Sequence, residues 1–503
     1  MTSKSIFAGA GVAVLAGLTT LGTTSCKKDF IDLSDPTRIP SSAGYTDSLS
    51  ILGGVTAAYS SLQDVYGKSG SNRGLWVFSE VPSDNSTTII SGEALNEFDF
   101  FSLNSNNPRL QPQWTVTYRA IYRCNIVIDR AGSVKLTAAT RNRYLAEARF
   151  IRALTYFNAV RIWGDIPLVT KEITSISESY TYARESRAKV YAQIEEDLAF
   201  AEANLPAAYP TAADLGRATK GAAQGLLGKV LLTQKKYAEA ASKLKQVIDA
   251  NAYSLQASYA NIFLTTNEMN SEILFAVRYA KGGFGLGSPF TNNFALNSAT
   301  AGGGSFDQFN TVDKSLFDAF TASGATDVRN AASIGSITGG TPPRTQYYTK
   351  KYTDTPTAPG DADNDWIVLR YADVLLLYAE AANEQGATTA TSLEGLNRVI
   401  RRSRGLAVNT PAPAVDLPLS TSPAALRDRI ELERRLELNM EGHRWFDLVR
   451  TDRAIPVMNA FFTAYNITNS GAPITVTTKN LLFPIPIQEI QVNPILTQND
   501  GYN

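Results

Sequence analysis

Carboxylates at helical spacing are the residues of this chain that come nearest to a catalytic arrangement. Glu433, Glu437 and Glu441 recur every four positions in "IELERRLELNMEGHRWFDLVR". Glycoside hydrolysis needs only two carboxyl groups, but these must lie on opposite sides of the bond that is cleaved. Carboxylates aligned on one helix among arginines, such as Glu431 and Arg435, are typical of a charge-laced helix in which each pair contributes a few tenths of a kcal/mol. The segment therefore predicts a helix with many ion pairs rather than a catalytic centre.

The other patterns that could support chemistry are incomplete. The sole histidine, His443, is in the same charged segment, and no cluster of His, Cys and Asp has the spacing of a zinc site. "GGFGLG", residues 282–287, lacks the glycine offsets of a dinucleotide-binding loop, and no GK[ST] phosphate loop occurs. "DADND", residues 361–365, begins like a calcium loop, but Trp366 replaces the sixth-position glycine and Ala372 the terminal glutamate. We predict no catalytic residue, no cofactor and no metal site of these kinds; a single calcium site elsewhere stays open.

The N-terminal segment predicts export. Lys4 precedes an uncharged apolar run, residues 6–22, and three small residues then lead to Cys26. A basic start, an apolar stretch and a small-residue end are typical of a secretory signal. A signal that ends on cysteine resembles that of bacterial lipoproteins, in which the cysteine is lipidated, although Thr23 replaces the usual leucine. Residues 1–25 are therefore predicted to be a lipoprotein signal peptide, with Cys26 as the lipid anchor; the alternative is an ordinary signal with Cys26 uninvolved.

Composition limits the function classes. The chain has 503 residues, a net charge of zero and 44% hydrophobic residues, which suffices for a large core. Zero net charge and the lack of a long basic run argue against a nucleic-acid-binding protein. If Cys26 is lipidated, Cys124 has no partner within the chain, so we expect no disulfide framework.

Paired apolar stripes at helical spacing predict helical hairpins. The segment 219–255 has two such stripes around the polar turn "TQKK", and the segment 370–405 repeats this plan around Gly386. The stripe through residues 146–160 predicts another helix, which ends at Gly164 and Pro167. These pairs resemble tetratricopeptide units, but their uneven spacing predicts a scaffold interrupted by other material rather than a simple solenoid.

Two long irregular stretches, about 66–113 and 255–365, interrupt the helices. Both combine aromatic with polar residues, and ordered loops of this size are usually functional. Aromatic faces can stack on sugar rings while amides, carboxylates and arginines bind hydroxyls; the alternative is that the aromatics attach the loops to the scaffold. Trp114 is assigned to the scaffold. The predicted ligand-binding residues are Arg73, Trp76, Asp84 and Asn85 in the first stretch, and Phe284, Phe290, Asn292 and Asn293 in the second.

The chain resembles the SusD/RagB family of bacterial outer-membrane lipoproteins over nearly its whole length. Trp114, Tyr118, Ile121 and Asn125 match the W-x-x-x-Y-x-x-I-x-x-x-N helix of that family. The other segments that carry the resemblance, in chain order, are "SCKKDFIDLSDP", "AEARFIRALTYFNAVRIWGDIPLV", "GRATKGAAQGLLGKVLL", "SEILFAV", "VLRYADVLLLYAEAANEQG", "IELERRLELNMEGHRWFDLVR" and "LLFPIPIQEIQVNPILTQNDGY".

The resemblance implies a mainly α, SusD-like single domain over residues 26–503, built on tetratricopeptide-type hairpins with long irregular loops and a few short strands. It implies a lipid-anchored protein of the outer membrane, facing the exterior, that captures glycans without catalysis. The implied partner is a SusC-type TonB-dependent barrel, to which the oligosaccharide is delivered. The alternative is an assembly or peptide-capture subunit of such a transporter that binds no sugar.

Overall fold

Helices dominate the described backbone, and the strands between them are short. The computed structural model describes residues 44–68, 74–89, 94–324 and 326–502. The helices of these residues are α1 (Ser48–Tyr66), α2 (Trp76–Ser79), α3 (Asn96–Asp99), α4 (Leu110–Arg130), α5 (Ala138–Trp163), α6 (Ile176–Ser179), α7 (Arg187–Asn204), α8 (Lys220–Thr233), α9 (Tyr237–Asp249), α10 (Phe290–Phe294), α11 (Lys314–Ser323), α12 (Val328–Ser333), α13 (Tyr371–Glu384), α14 (Ala390–Ser403), α15 (Pro423–Glu437), α16 (Arg444–Arg450), α17 (Ala454–Ala464) and α18 (Ile487–Val492).

The strands of the same residues form one four-stranded sheet and three two-stranded sheets. The larger sheet has the order β1-β5-β7-β6, and the pairs are β2-β3, β4-β8 and β9-β10. Their bounds are β1 (Ser86–Thr87), β2 (Ile166–Pro167), β3 (Arg184–Glu185), β4 (Ile273–Val277), β5 (Thr311–Val312), β6 (Ile334–Gly339), β7 (Arg344–Thr349), β8 (Trp366–Arg370), β9 (Thr468–Asn469) and β10 (Ala472–Pro473). The predicted mainly α fold with a few short strands is confirmed.

The predicted helical hairpins are present. Helix α8 packs against α9 and α13 against α14, and α9 also packs against α13, although the whole second irregular stretch separates them in sequence. Small residues allow the close crossings: a Cβ on Gly228 of α8 would lie 2.6 Å from Cγ of Leu244 on α9. The helix predicted through residues 146–160 is α5, which ends at Gly164 in a positive-φ conformation, as the glycine implied. None of the helices in the described ranges has the length and apolarity of a membrane-spanning segment.

The charged C-terminal segment differs from the single charge-laced helix that its sequence predicted. Helix α15 ends at Glu437, and the chain turns through Met440 and Gly442, both at positive φ, before α16 begins. Glu433, Glu437 and Glu441 are all buried. Glu433 pairs with Arg429 of the same helix, but all three also form ion pairs with cations from distant parts of the chain, which periodicity along one segment does not reveal.

Arg370, at the end of β8, connects this buried network. Its guanidinium donates to Glu437 at 2.6 Å, to Glu441 at 2.8 Å and to Glu272 at 2.9 Å. Arg329 donates to Glu433 at 2.8 Å. Because each carboxylate has a bonded cation, the charges can stay ionised in the protein interior.

His443 is part of the same interior. Its Nδ1 lies 2.9 Å from Nζ of Lys229, and that ammonium also donates to Asp373 at 2.8 Å. Burial, followed by the nearby Lys229 charge, lowers the pKa of His443 to about 3. The imidazole is therefore neutral at physiological pH and accepts a hydrogen bond from the lysine, which is a structural role.

Candidate functional site

Pairing of β4 with β8 brings the two ends of the second irregular stretch together. Val277, the last residue of β4, pairs with Trp366, the first residue of β8. The segment after β4 therefore runs beside the segment before β8, and the bridge between Ser288 and Ala362 continues that contact. Three segments meet here, residues 281–287, 298–307 and 353–363, and we call them the loop cluster.

Asp361 holds the glycine-rich segment of the loop cluster in place. Its carboxylate accepts hydrogen bonds from the backbone N–H groups of Gly282 and Gly283, both at 3.0 Å, and from the hydroxyl of Thr357. Gly282 and Gly283 have φ of 127° and 79°, a region that favours glycine, so two successive N–H groups can converge on one oxygen. The Thr357 hydroxyl, then the Gly282 N–H, hold the pKa of Asp361 below its usual range.

Asn292, in α10, ties the other two segments together. Its side-chain oxygen accepts a hydrogen bond from Gly360 N at 2.9 Å, and its Nδ2 donates to the carbonyl of Ser305 at 2.7 Å. Its own carbonyl accepts from the N–H of Asp307 at 3.0 Å. The buried amide thus fixes the spacing of the loops above it.

Lys281 joins the first and third segments by charge. Its ammonium lies 3.3 Å from carboxylate oxygens of Asp354 and Asp363 and donates to the carbonyl of Thr355 at 3.3 Å. Asp354 in turn accepts from the N–H of Asp363 at 2.9 Å. No group of three or more His, Cys, Asp or Glu side chains within the described ranges is arranged to hold a metal ion.

Two aromatic rings on the loop cluster face solvent. Phe284 is 79% exposed and Phe306 is 41% exposed. The Phe284 ring packs over Gly282, where an added Cβ would lie 2.8 Å from Cε2 of the ring. An exposed aromatic ring on such a loop can stack on the flat apolar face of a ligand. The polar groups next to the ring can then bind the edge of that ligand.

A groove of about 250 Å³ adjoins the loop cluster at Leu286. Its lining includes Tyr59 and Gln63 of α1, Arg217, and Phe275 of β4. Gln63 Nε2 donates to the carbonyl of Arg278 at 2.8 Å, which attaches α1 to the end of β4. The candidate site therefore has a groove at Leu286, on the segment that carries Phe284.

Most of the residues predicted to bind ligand are buried beneath the loops. Trp76 has no exposed surface, and its ring packs edge-on against Phe294 with the centroids 5.2 Å apart. Phe290 is fully buried too, with its ring centroid 4.8 Å from that of Trp366. The faces of both rings are covered by protein, which is the scaffold role that the sequence left open for these aromatics.

Asp84 and Asn85 form part of an ion-pair cluster. Asp84 accepts from Arg444 at 2.7 Å and lies 3.1 Å from Arg435, and Asn85 accepts from Arg435 Nε at 2.9 Å. Burial raises the pKa of Asp84, but Arg435 and Arg444 outweigh burial and lower it to about 2. Asp84 also lines a cleft of about 440 Å³ with both arginines, away from the loop cluster in sequence.

The remaining predicted residues are Asn293, Phe284, Arg73 and Cys26. Asn293 is buried, and its carbonyl accepts from the N–H of Phe309 at 2.9 Å. Phe284 is the predicted aromatic that is exposed. Arg73 and Cys26 lie outside the described residues. Ligand contact by any of these side chains stays a prediction.

Sequence reasoning missed Phe306, Lys281, Asp354 and Asp361. The available signal was the run "DADND", which we compared only with a calcium loop. Its aspartates instead bind the segment 278–283: Asp361 accepts from two glycines, Asp363 from the N–H of Lys281 at 2.8 Å, and Asp365 from that of Tyr279 at 2.9 Å.

Fold and site together define a helical-hairpin protein whose candidate ligand surface is built from inserted loops rather than from the hairpins. A SusD family profile matches residues 249–502, and one described as "Starch-binding associating with outer membrane" matches residues 29–232. The chain belongs to the SusD family.

Curated relatives extend the match along the chain. SusD-like protein P25 of Formosa agariphila is 26% identical, and the alignment covers 95% of this chain and 96% of the relative. SusD-like protein P38 of the same organism is 28% identical, with 89% and 90% covered.

Solved structures share the fold. A laminarin binding SusD-like protein has a TM-score of 0.74 at 26% identity, with 91% of this chain and 100% of that chain covered. A SusD homolog from Bacteroides thetaiotaomicron has a TM-score of 0.79 at 24% identity, with 93% and 100% covered. The predicted SusD-like fold is confirmed.

Proposed function

We propose that this protein captures oligosaccharide or polysaccharide at the cell surface and delivers it to a SusC-type TonB-dependent transporter of the outer membrane. The observation that carries the proposal is the braced loop cluster with Phe284 and Phe306 exposed upon it. Aromatic rings of this kind supply a flat apolar face, and the carboxylates and carbonyls around Lys281 supply acceptors for hydroxyl groups.

Family membership supports the proposal. One structural relative is named for laminarin binding, and one matching profile is named for starch binding at the outer membrane. The proposed anchor is the lipidated Cys26, which would hold the protein on the exterior face of the outer membrane. In this proposal the protein is a binding protein and catalyses no reaction.

The phenylalanine of the glycine-rich segment provides the test. We would prepare the soluble chain lacking residues 1–26 and measure binding by calorimetry against laminarin, starch, dextran, xyloglucan, galactomannan, alginate and polygalacturonate. Phe284→Ala should weaken binding to the bound glycan at least roughly fivefold, since one aromatic contact is worth about 1 kcal/mol.

Tyr180→Ala is the matched control, because Tyr180 is an exposed aromatic outside the loop cluster. It should leave affinity unchanged. Affinity that is insensitive to Phe284→Ala would move the site away from the loop cluster, toward the cleft beside Asp84. No affinity for any glycan would contradict the proposal. It would favour the alternative function, a subunit that assembles the transporter or captures peptides.

A further inference from the structure

We infer that the loop cluster selects uncharged glycans and discriminates against polyuronates and sulfated polysaccharides. This selectivity rests on the proposed function and names the ligand class of the same site. It follows from where the charges of the loops lie and from which of their donors are already occupied.

Negative charge dominates the loop cluster. Its described residues carry one cation, Lys281, against Asp307, Asp354, Asp361 and Asp363. A ligand with a carboxylate or sulfate on every sugar would approach a surface that is negatively charged like the ligand itself. The two would repel each other. Neutral hydroxyl groups meet no such barrier and can donate to carboxylate oxygens.

The single cation is not available to an anionic ligand. The ammonium of Lys281 lies 3.3 Å from both Asp354 and Asp363 and donates to the Thr355 carbonyl as well. An arriving carboxylate would have to displace two carboxylates that are held by the backbone: Asp363 accepts from Lys281 N and Asp354 from Asp363 N. The lysine therefore contributes structure rather than anion affinity.

The backbone donors best suited to an anion are also filled. Successive N–H groups with positive-φ glycines form concavities that bind anions. Here the N–H groups of Gly282 and Gly283 converge on the carboxylate of Asp361, at 3.0 Å each. The protein thus occupies its own anion site, at the glycine over which the exposed ring of Phe284 packs.

Arg278, the cation that follows β4, is likewise paired with acidic side chains. Its guanidinium lies 3.0 Å from Glu268 and also pairs with Asp365. The groove beside Leu286 therefore gains no uncompensated positive charge from it. What the loop cluster exposes to a ligand is the ring of Phe284, the ring of Phe306 and part of the carboxylate of Asp363, whose side chain is 32% exposed.

The test compares one glycan in two charge states. We would take a neutral polysaccharide that binds in the screen above and oxidise its C6 hydroxyl groups to carboxylates, which keeps backbone and linkage. The oxidised form should bind at least roughly tenfold more weakly in about 0.02 M NaCl, and the difference should shrink in about 0.5 M NaCl, where surface charges are screened.

Two variants connect the effect to the loops. Asp363→Asn, and separately Asp354→Asn with Asp363→Asn, keep a side-chain oxygen for the backbone donors and remove charge around Lys281. Each should raise the ratio of anionic to neutral affinity, the double variant by roughly fivefold or more. Asp249→Asn on α9, an exposed acid outside the loop cluster, should leave that ratio unchanged.

Three results would overturn the inference, and they differ in whether the proposed function is refuted as well. Tighter binding of alginate, polygalacturonate or the oxidised glycan that Phe284→Ala abolishes would refute the selectivity while the proposed function stands. If Phe284→Ala left the affinity for neutral glycans unchanged, the loop cluster would not be the binding site. Absence of binding to every glycan, neutral and acidic, would refute both the selectivity and the proposed function.

Discussion

Burial changes the chemistry of individual ionisable residues in this protein, and Glu80 shows it most simply. Its Oε1 accepts from the N–H of Gly442 at 2.6 Å and from that of His443 at 3.3 Å, and no described residue donates to Oε2. Burial raises the pKa of Glu80 to about 8, so the folded protein holds this proton at neutral pH.

Glu80 should make stability fall as pH rises. Above about pH 4.5 the unfolded chain loses the proton that the folded chain keeps, so the free energy of unfolding declines until the pH passes about 8. Glu80→Gln keeps the uncharged shape at every pH, and its stability relative to wild type should rise by about 2–4 kcal/mol across this window.

Urea unfolding of both proteins from pH 4.5 to 8.5 measures this difference. Glu185→Gln, which changes a partly exposed glutamate, is the control and should show no such trend. A difference between Glu80→Gln and wild type that stays constant with pH would mean that Glu80 is ionised in the folded state.

Arg370 tests the buried network at the same scale. Arg370→Met leaves Glu272, Glu437 and Glu441 without their shared cation, and we expect a loss of about 3–5 kcal/mol in the free energy of unfolding. Arg427 pairs with Glu384 at 2.7 Å on the surface, so Arg427→Met should cost less than about 1 kcal/mol. If a denaturant titration gave Arg370→Met and Arg427→Met equal losses in the free energy of unfolding, this expectation would be contradicted.

At the scale of helices and strands, local sequence was a reliable guide to the hairpins. The apolar stripes of α8, α9, α13 and α14 recur at helical spacing, and each of these helices lies where its stripe predicted. Local sequence was a poor guide where α15 ends, because periodicity continues past Glu437 while the chain turns through Met440.

Gly228 allows the close crossing of α8 and α9. Gly228→Ala would place a Cβ 2.6 Å from Leu244, and overpacking of this kind should lower the free energy of unfolding by about 1–3 kcal/mol. Gly53→Ala, in α1 with no atom within 4 Å of the added Cβ, should be neutral or slightly stabilising. Thermal unfolding separates the two variants, and a destabilised Gly53→Ala would contradict the expectation.

At the scale of the whole molecule, long-range pairing creates the candidate site. Asp361 and Gly282 are far apart in the chain, yet one carboxylate braces the segment that carries Phe284. Asp361→Ala should raise amide hydrogen exchange at residues 281–287 and leave α10 protected, since only the local brace is removed.

Mass-spectrometric hydrogen exchange at peptide resolution would detect this change. Asp249→Ala, on α9, is the control and should leave exchange at residues 281–287 unaltered. Unchanged protection of Gly282 and Gly283 in Asp361→Ala would show that the β4–β8 pairing alone holds the segment.

The sequence by itself determined the helices, their hairpin pairing and the family, because periodicity, turn residues and segment order are local properties of a chain. It also predicted that residues 255–365 interrupt the helices with a polar and aromatic stretch. It could not show which aromatics of that stretch face solvent. Phe284 and Phe290 lie close together in this stretch, yet one is 79% exposed and the other is fully buried.

Tertiary structure decided that difference. Phe290 is buried because Trp366 and Tyr352, which are distant in sequence, pack around it together with Tyr279. Phe284 instead lies on a segment whose backbone is held by Asp361. The same holds for Glu437, whose cations come from α12, β8 and α14. Burial is a property of long-range neighbours, and only the folded chain brings those neighbours together.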